Sequence, residues 1–224
     1  MKPVLSHPWQ VTLEEALNIQ EELRKKICLQ GRLNLSKIGK IGAVDVAYKN
    51  EKAIAGVCVF SYPDLRITKE SFSIREVNFP YIPGFLSFRE GPCIIEALEK
   101  INEDVDILLF DGQGIAHPRR MGIATHLGIY FGIASVGCAK KRLSGNHEPL
   151  ENKEGVIKPL YDGGEMIGYA VRVKKNTRPL YISPGNLIDF ETALKVIISV
   201  CRGYKIPEPL RIAHIFVNKL KKVV

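Results

Sequence analysis

Several things are scarce in this sequence, and each absence narrows what it can be. Its five cysteines, Cys28, Cys58, Cys93, Cys138 and Cys201, stand 30 or more positions apart. No Cys-x-x-Cys pair therefore exists to build a zinc knuckle or a redox motif. An odd, scattered count suits a reducing compartment, and a cytoplasmic protein is expected. Long apolar runs are missing too. The longest uncharged stretch, Met121–Ala139, contains Thr125, His126, Ser135 and four glycines, whereas a membrane-spanning helix needs about 20 mostly apolar residues. It reads as a buried helix followed by a buried strand, and no membrane partner is expected. Met1–Pro8 has no apolar stretch fit for a secretory signal. Neither GxxxxGK[ST] nor HExxH occurs. Gly112-Gln113-Gly114 begins like a dinucleotide loop, but His117 occupies the third glycine position. Ile133 likewise replaces the first glycine that a nucleophile elbow around Ser135 would need.

Acidic residues are scarce in one half only. Residues 1–112 hold 14 basic and 16 acidic side chains, a net of −2, while residues 113–224 hold 18 and 8, a net of +10. Such asymmetry points to a face that meets a polyanion, most simply nucleic acid. A charge that serves only solubility would give the same count. With 224 residues, 46% apolar and 25% charged, the chain has the balance of one globular domain over 1–224.

Thr12-Leu-Glu-Glu15 is a capping box, and Leu13, Ala16, Leu17, Leu23 and Ile27 follow it on one helical stripe. Ile41–Ala47, Ala53–Phe60 and Arg66–Asn78 read as strands of an antiparallel meander. Phe79–Gly84 is a proline-stiffened turn, and a helical pattern with Ile94, Ile95, Ala97, Leu98 and Ile101 follows. Val105–Phe110 is a continuous apolar run, as in a parallel strand buried on both faces. A helix near 121–131 and a strand Ile133–Ala139 come next. Gly155–Leu160, Met166–Val173 and Leu180–Ile182 are strand-like, and two helices close the chain. The expected architecture is α/β: a mixed sheet, meander plus parallel strands, covered by helices on both faces.

Some carboxylates stand where carboxylates are costly. Asp45 shares its strand face with Ile41, Ala43 and Ala47. An isolated charge there costs several kcal/mol, by rough estimate, unless paired or metal-bound. The alternatives are a solvent-open face or a turn beginning at Asp45. Asp111 ends the most apolar strand, at the edge where α/β sheets place ligands, although a strand-ending Asp often only makes its own turn. Glu90 precedes Gly91-Pro92, a costly pair inside a helical pattern. On pattern alone, a positioned Glu90 and a surface pair with Arg89 are even. Three hard oxygen donors would suit Mg²⁺ or Mn²⁺, and two such ions about 4 Å apart serve phosphodiester hydrolysis. His214 lies on the apolar stripe of the last helix, where a lone histidine is usually a satisfied core residue. Lys140 opens Lys-Lys-Arg, either a solvated strand end or a phosphate contact at the edge of Asp111. Pro80 and Pro83 hold Tyr81 and Ile82 stiffly, either as a wedge between bases or with Tyr81 tucked into the core.

Phe79-Pro-Tyr-Ile-Pro-Gly84, Phe88-Arg-Glu-Gly-Pro92, Phe110-Asp-Gly-Gln-Gly114, Ala116-His-Pro-Arg119, Gly137-Cys-Ala-Lys140 and Pro207–His214 together resemble the endonuclease V family, in the same order from about Trp9 onward. Cys138 departs from the valine often found there, a small apolar exchange. The resemblance implies a ribonuclease H-like fold. It also implies Mg²⁺-dependent (or Mn²⁺-dependent) cleavage of DNA at the second phosphodiester bond 3′ to deoxyinosine, with 3′-hydroxyl and 5′-phosphate ends, as part of DNA repair. By position it implies Asp45, Asp111 and Glu90 as metal ligands, with His214 and Lys140 completing the catalytic set. Pro80, Tyr81, Ile82, Pro83, His117 and Lys140 would contact nucleic acid, and Gly84, Phe85, Gly112 and Gly114 would line the lesion pocket. The expected form is a monomer. Inosine-containing RNA is the alternative substrate. A non-catalytic nucleic-acid binder is a further alternative, disfavoured because such a binder gains nothing from acidic groups facing phosphates.

Overall fold

The computed structural model describes residues 1–31 and 33–223. Helix α1 (Leu13–Arg24) begins at the Thr12–Glu15 capping box, which is formed in full. The meander follows as β1 (Lys40–Lys49), β2 (Lys52–Ser61) and β3 (Ile67–Glu76). Then come α2 (Leu86–Glu99), β4 (Ile107–Phe110), α3 (Ile123–Phe131), β5 (Ala134–Ala139), β6 (Val156–Asp162), β7 (Glu165–Arg172), β8 (Leu180–Asn186), α4 (Phe190–Ser199) and α5 (Glu208–Val223). One eight-stranded sheet results, in the order β3-β2-β1-β4-β5-β8-β7-β6. Its centre, β1-β4-β5, is parallel; the remaining pairs are antiparallel.

The central strands are apolar on both faces because both are covered. Ile107 and Leu109 of β4 pack with α4 and α5, while Leu108 and Phe110 pack with α2 and α3. Every residue of α3 is buried, as the uncharged run requires. Among the described residues no helix is long and apolar enough to cross a membrane.

The costly Gly91-Pro92 pair lies inside α2, as the helical pattern implied, with Trp9 against Gly91. One difference from the sequence reading has a physical cause. Strand β8 runs on past Ile182 to Asn186 through Pro184. Its pairing to β7 ends at Ile182, so beyond that point the missing proline N–H leaves no ladder bond unmade on that side.

One close approach sets the functional edge. Asp45 is paired across the ladder with Gly56, on the face covered by α5. A Cβ at Gly56 would lie 2.6 Å from Val217 Cγ1 and 2.9 Å from Phe216 Cδ1. The bare backbone therefore lets α5 settle onto β1 and β2. Gly56→Val should cost about 1–3 kcal/mol by overpacking. It would be read as a lower urea midpoint at unchanged m; a wild-type midpoint would show that α5 does not depend on this approach.

Candidate active site

The parallel register of β1 and β4 aligns Val44 with Phe110, so the next residue on each strand is an aspartate. Asp45 is buried, 8% exposed, and Asp111 donates its N–H to the Val44 carbonyl at 3.3 Å. Burial first, and then the neighbouring Asp111 charge, push the Asp45 carboxyl above its ordinary pKa; His214 and Lys140 pull it back. Lys140, just past β5, forms an ion pair with Asp111 Oδ2. His214 Nδ1 lies 2.7 Å from Asp45 Oδ2. Asn218, one turn further along α5, donates from Nδ2 to the His214 carbonyl at 2.8 Å and approaches His214 Nε2 at 3.2 Å. That amide nitrogen can only donate, so Nε2 accepts and the Nδ1–H points at Asp45. His214 is consequently not a core histidine: its side chain is 51% exposed at the rim of the cleft.

Asp45, Asp111 and His214 each offer a ligand atom, and these atoms lie within 4.8 Å of one another. Glu90 stands outside that tight group but lines the same small cleft with Asp45, Asp111, Phe110 and Ile123. Its pKa is pushed up to about 8, chiefly by burial and further by Asp45 and Asp111, against the Tyr48 hydrogen bond and Arg89. Tyr48 donates its hydroxyl to Glu90 Oε1 at 2.8 Å. Arg89 does not pair with Glu90: it lies over the Tyr48 ring at 4.9 Å and donates to the Phe79 carbonyl at 2.7 Å.

Tyr81 is 71% exposed and so is not tucked into the core, whereas Ile82 packs against Phe79, Phe85 and Phe88. Pro80 and Pro83 are exposed and flank Tyr81 and Ile82. Behind this tip, three donors converge on the Gly84 carbonyl: Arg119 Nη2 at 2.7 Å, His117 Nε2 at 3.0 Å and Gln20 Nε2 at 3.0 Å. Gly84 adopts φ +85°, a conformation that favours glycine. His117 Nδ1 accepts the Arg119 backbone N–H at 3.1 Å, so Nε2 carries the proton given to Gly84. Burial lowers the His117 pKa to about 4, with Arg119 adding to the effect. Both ring nitrogens of His117 are thus committed to the protein itself. Arg119 also bonds Gln20 Oε1 at 2.5 Å and covers the Phe85 ring at 4.2 Å. Gly112 follows Asp111, and Gly114 donates its N–H to Ser183 Oγ at 2.8 Å, which ties this loop to β8.

The structure brings Asp45, Asp111, His214, Lys140 and Glu90 together at the ends of β1, β4 and β5, and the Tyr81 loop has its own polar anchor at Gly84. Sequence reading missed Tyr48, Asn218, Gln20 and the anchoring role of Arg119. Tyr48 is three positions from Asp45, so strand alternation turns it toward α2, where Glu90 lies. The two carboxylates, one of them buried, form a hard oxygen donor set that fits a divalent cation, with Lys140 and His214 beside it.

A family model of endonuclease V matches residues 21–215. An endonuclease V of Dictyoglomus turgidum is 42% identical over 207 residues, which is 92% of this chain and 90% of that one. The crystal structure of the Bacillus subtilis endonuclease V superposes with a TM-score of 0.94 at 28% identity, covering 100% of this chain and 98% of that one. Ciona intestinalis endonuclease V, crystallised with a 24mer DNA containing an inosine followed by a ribo-adenosine, superposes with a TM-score of 0.84 at 27% identity, covering 95% and 99%. The mixed sheet is thus ribonuclease H-like.

Glu90 makes a pH prediction with a definite sign. Its carboxyl stays protonated in the fold up to about pH 8 but ionises near 4.5 otherwise, so the folded chain binds the extra proton in between. Stability in EDTA should therefore fall as pH rises from roughly 6.5 to 8 and level off above that, a window above the His117 titration. Glu90→Gln should flatten that fall in urea unfolding; an unchanged slope would remove Glu90 as its source.

Proposed function

The chain belongs to the endonuclease V family, and from that premise we propose that it cuts DNA at the second phosphodiester bond 3′ to deoxyinosine, using Mg²⁺ or Mn²⁺. The observation that carries this reading is the meeting of Asp45 and Asp111 from adjacent parallel strands, with His214 within 4.8 Å and Lys140 paired to Asp111. The DNA bound by the Ciona relative contains inosine, which supports the lesion.

Asp45 and Asp111 would hold the cation, with Glu90 facing it across the cleft. When bound, Mg²⁺ supplies a Lewis acid that polarises the phosphoryl group and eases deprotonation of the attacking water. The water oxygen bonds to phosphorus, the P–O3′ bond breaks, and 3′-hydroxyl and 5′-phosphate ends result. Lys140 Nζ places a cation beside Asp111, where a non-bridging phosphate oxygen loses its repulsion from the carboxylates. His214 sits at the cleft mouth with a half-exposed ring, and serves as proton carrier between the site and solvent. Tyr48 orients Glu90 through Oε1. Tyr81, held out by prolines and by the Gly84 anchor, fills the gap left when the lesion leaves the stack. Flipping costs a few kcal/mol, least at a mispaired base. Gly84, Phe85, Gly112 and Gly114 would line the pocket for the base, and His117 supports it from behind.

The test is a labelled duplex with one deoxyinosine. Nicking is expected with Mg²⁺ and none with EDTA. Asp111→Ala should lower the rate by roughly 10³-fold, or about 4 kcal/mol, and should lose the rise in Tm that Mg²⁺ gives the wild type. Normal cutting by Asp111→Ala would overturn the metal assignment. An inosine-containing RNA in parallel decides between DNA and RNA as the preferred strand.

A further inference from the structure

The cations of this protein fall into two groups. Arg120, Arg211 and Lys195 are each paired with a carboxylate. Lys141, Arg142 and Arg178 are exposed, and among the described residues none of them forms an ion pair. All three line one open groove of about 220 Å³, whose other walls are Lys140, Pro179 and Tyr181. Four cations and no carboxylate line it.

The topology explains why they meet. Strands β5 and β8 pair antiparallel with Ala139 opposite Tyr181, so the residues leaving β5 run beside those entering β8. Lys140–Arg142 are thereby laid alongside Arg178. The backbone there is held from inside: Gln113 Nε2 donates to the Lys141 carbonyl at 2.8 Å, and Gln113 is two residues from Asp111. Arg142 donates to Asn146 Oδ1 at 3.0 Å, a neutral partner that aims the guanidinium without cancelling its charge. Like charges gathered in this way work against the compact state, and an anion in the groove would relieve the repulsion among Lys141, Arg142 and Arg178. One end of the groove is Lys140, which touches Asp111; the groove therefore opens directly onto the catalytic carboxylates.

We propose that this groove is a phosphate track that grips the nucleic-acid backbone adjoining the bond to be cut, with Lys141, Arg142 and Arg178 as its contacts. The proposal rests on the reading that the chain acts on nucleic acid, and it adds a sequence-independent binding site to it. Phosphate contacts of this kind set affinity and register and carry no base information. The track would therefore hold lesion-bearing and lesion-free strands alike, leaving discrimination to the Tyr81 side.

The experiment measures binding in EDTA, where the strand stays intact, of two fluorescein-labelled 20-mer duplexes. One carries a single deoxyinosine and the other adenine at that position. The affinity is followed against KCl for wild type, for K141Q/R142Q/R178Q and for the charge-matched control K25Q/K69Q/K195Q, with Tm confirming that each variant is folded. Each phosphate contact contributes about 0.9 to the slope of log K against log[salt] on duplex DNA. The groove variant should lose about 2 to 3 of that slope and bind at least tenfold more weakly, equally on both duplexes. The control should keep the wild-type slope. A groove variant with wild-type slope and affinity, or a control that loses as much, overturns the track. Failure of the wild type to cut at inosine would strike the parent reading instead, and the adenine duplex still reports on the groove.

Discussion

The structure is organised around two carboxylates that repel each other. Asp45 and Asp111 are brought together by the register of neighbouring parallel strands, and a one-residue slip of either strand would turn its aspartate to the opposite face. The cost of the pair appears in the raised Asp45 pKa. Its partial relief comes from Lys140 and His214, one from the end of β5 and one from α5. The sheet thus supplies the two aspartates and Lys140, and α5 supplies His214. Glu90 adds a third carboxyl, whose pKa burial pushes up to about 8, and this limits the negative charge in the cleft at neutral pH.

Much of this was legible in the chain because the relevant residues break local rules. A charge inside an apolar strand marked Asp45, an Asp-Gly after an unbroken apolar run marked Asp111, and paired prolines marked the Tyr81 loop. The meander and the parallel centre followed from alternation in one stretch and continuous apolarity in another. His214 was ambiguous, since its apolar stripe suggested the core and only the family resemblance pointed to the site. His214 lies inside α5, where its ring turns toward Asp45 with its side chain half exposed.

What stayed hidden depends on contacts between remote segments. Gln20 meets the Gly84 carbonyl across 64 positions and Arg119 across 35, and no local period encodes either. Tyr48 was hidden by strand parity, because it faces the opposite layer from Asp45. Only the seat of Val217 and Phe216 on Gly56 shows that α5, and with it His214, depends on a missing side chain.

Arg119 and Arg120 are neighbours in the chain but pull in opposite directions. Arg119 holds the Gly84 carbonyl, while Arg120, at φ +60°, holds Asp162 and Glu165 of the β6–β7 hairpin. Inserting or deleting one residue in this stretch would swap the two grips and unseat both. The segment from Phe110 to Ile123 is therefore one whose length evolution cannot easily alter. The hairpin tip at Gly163-Gly164, where an added Cβ would meet nothing within 4 Å, is where relatives are free to grow.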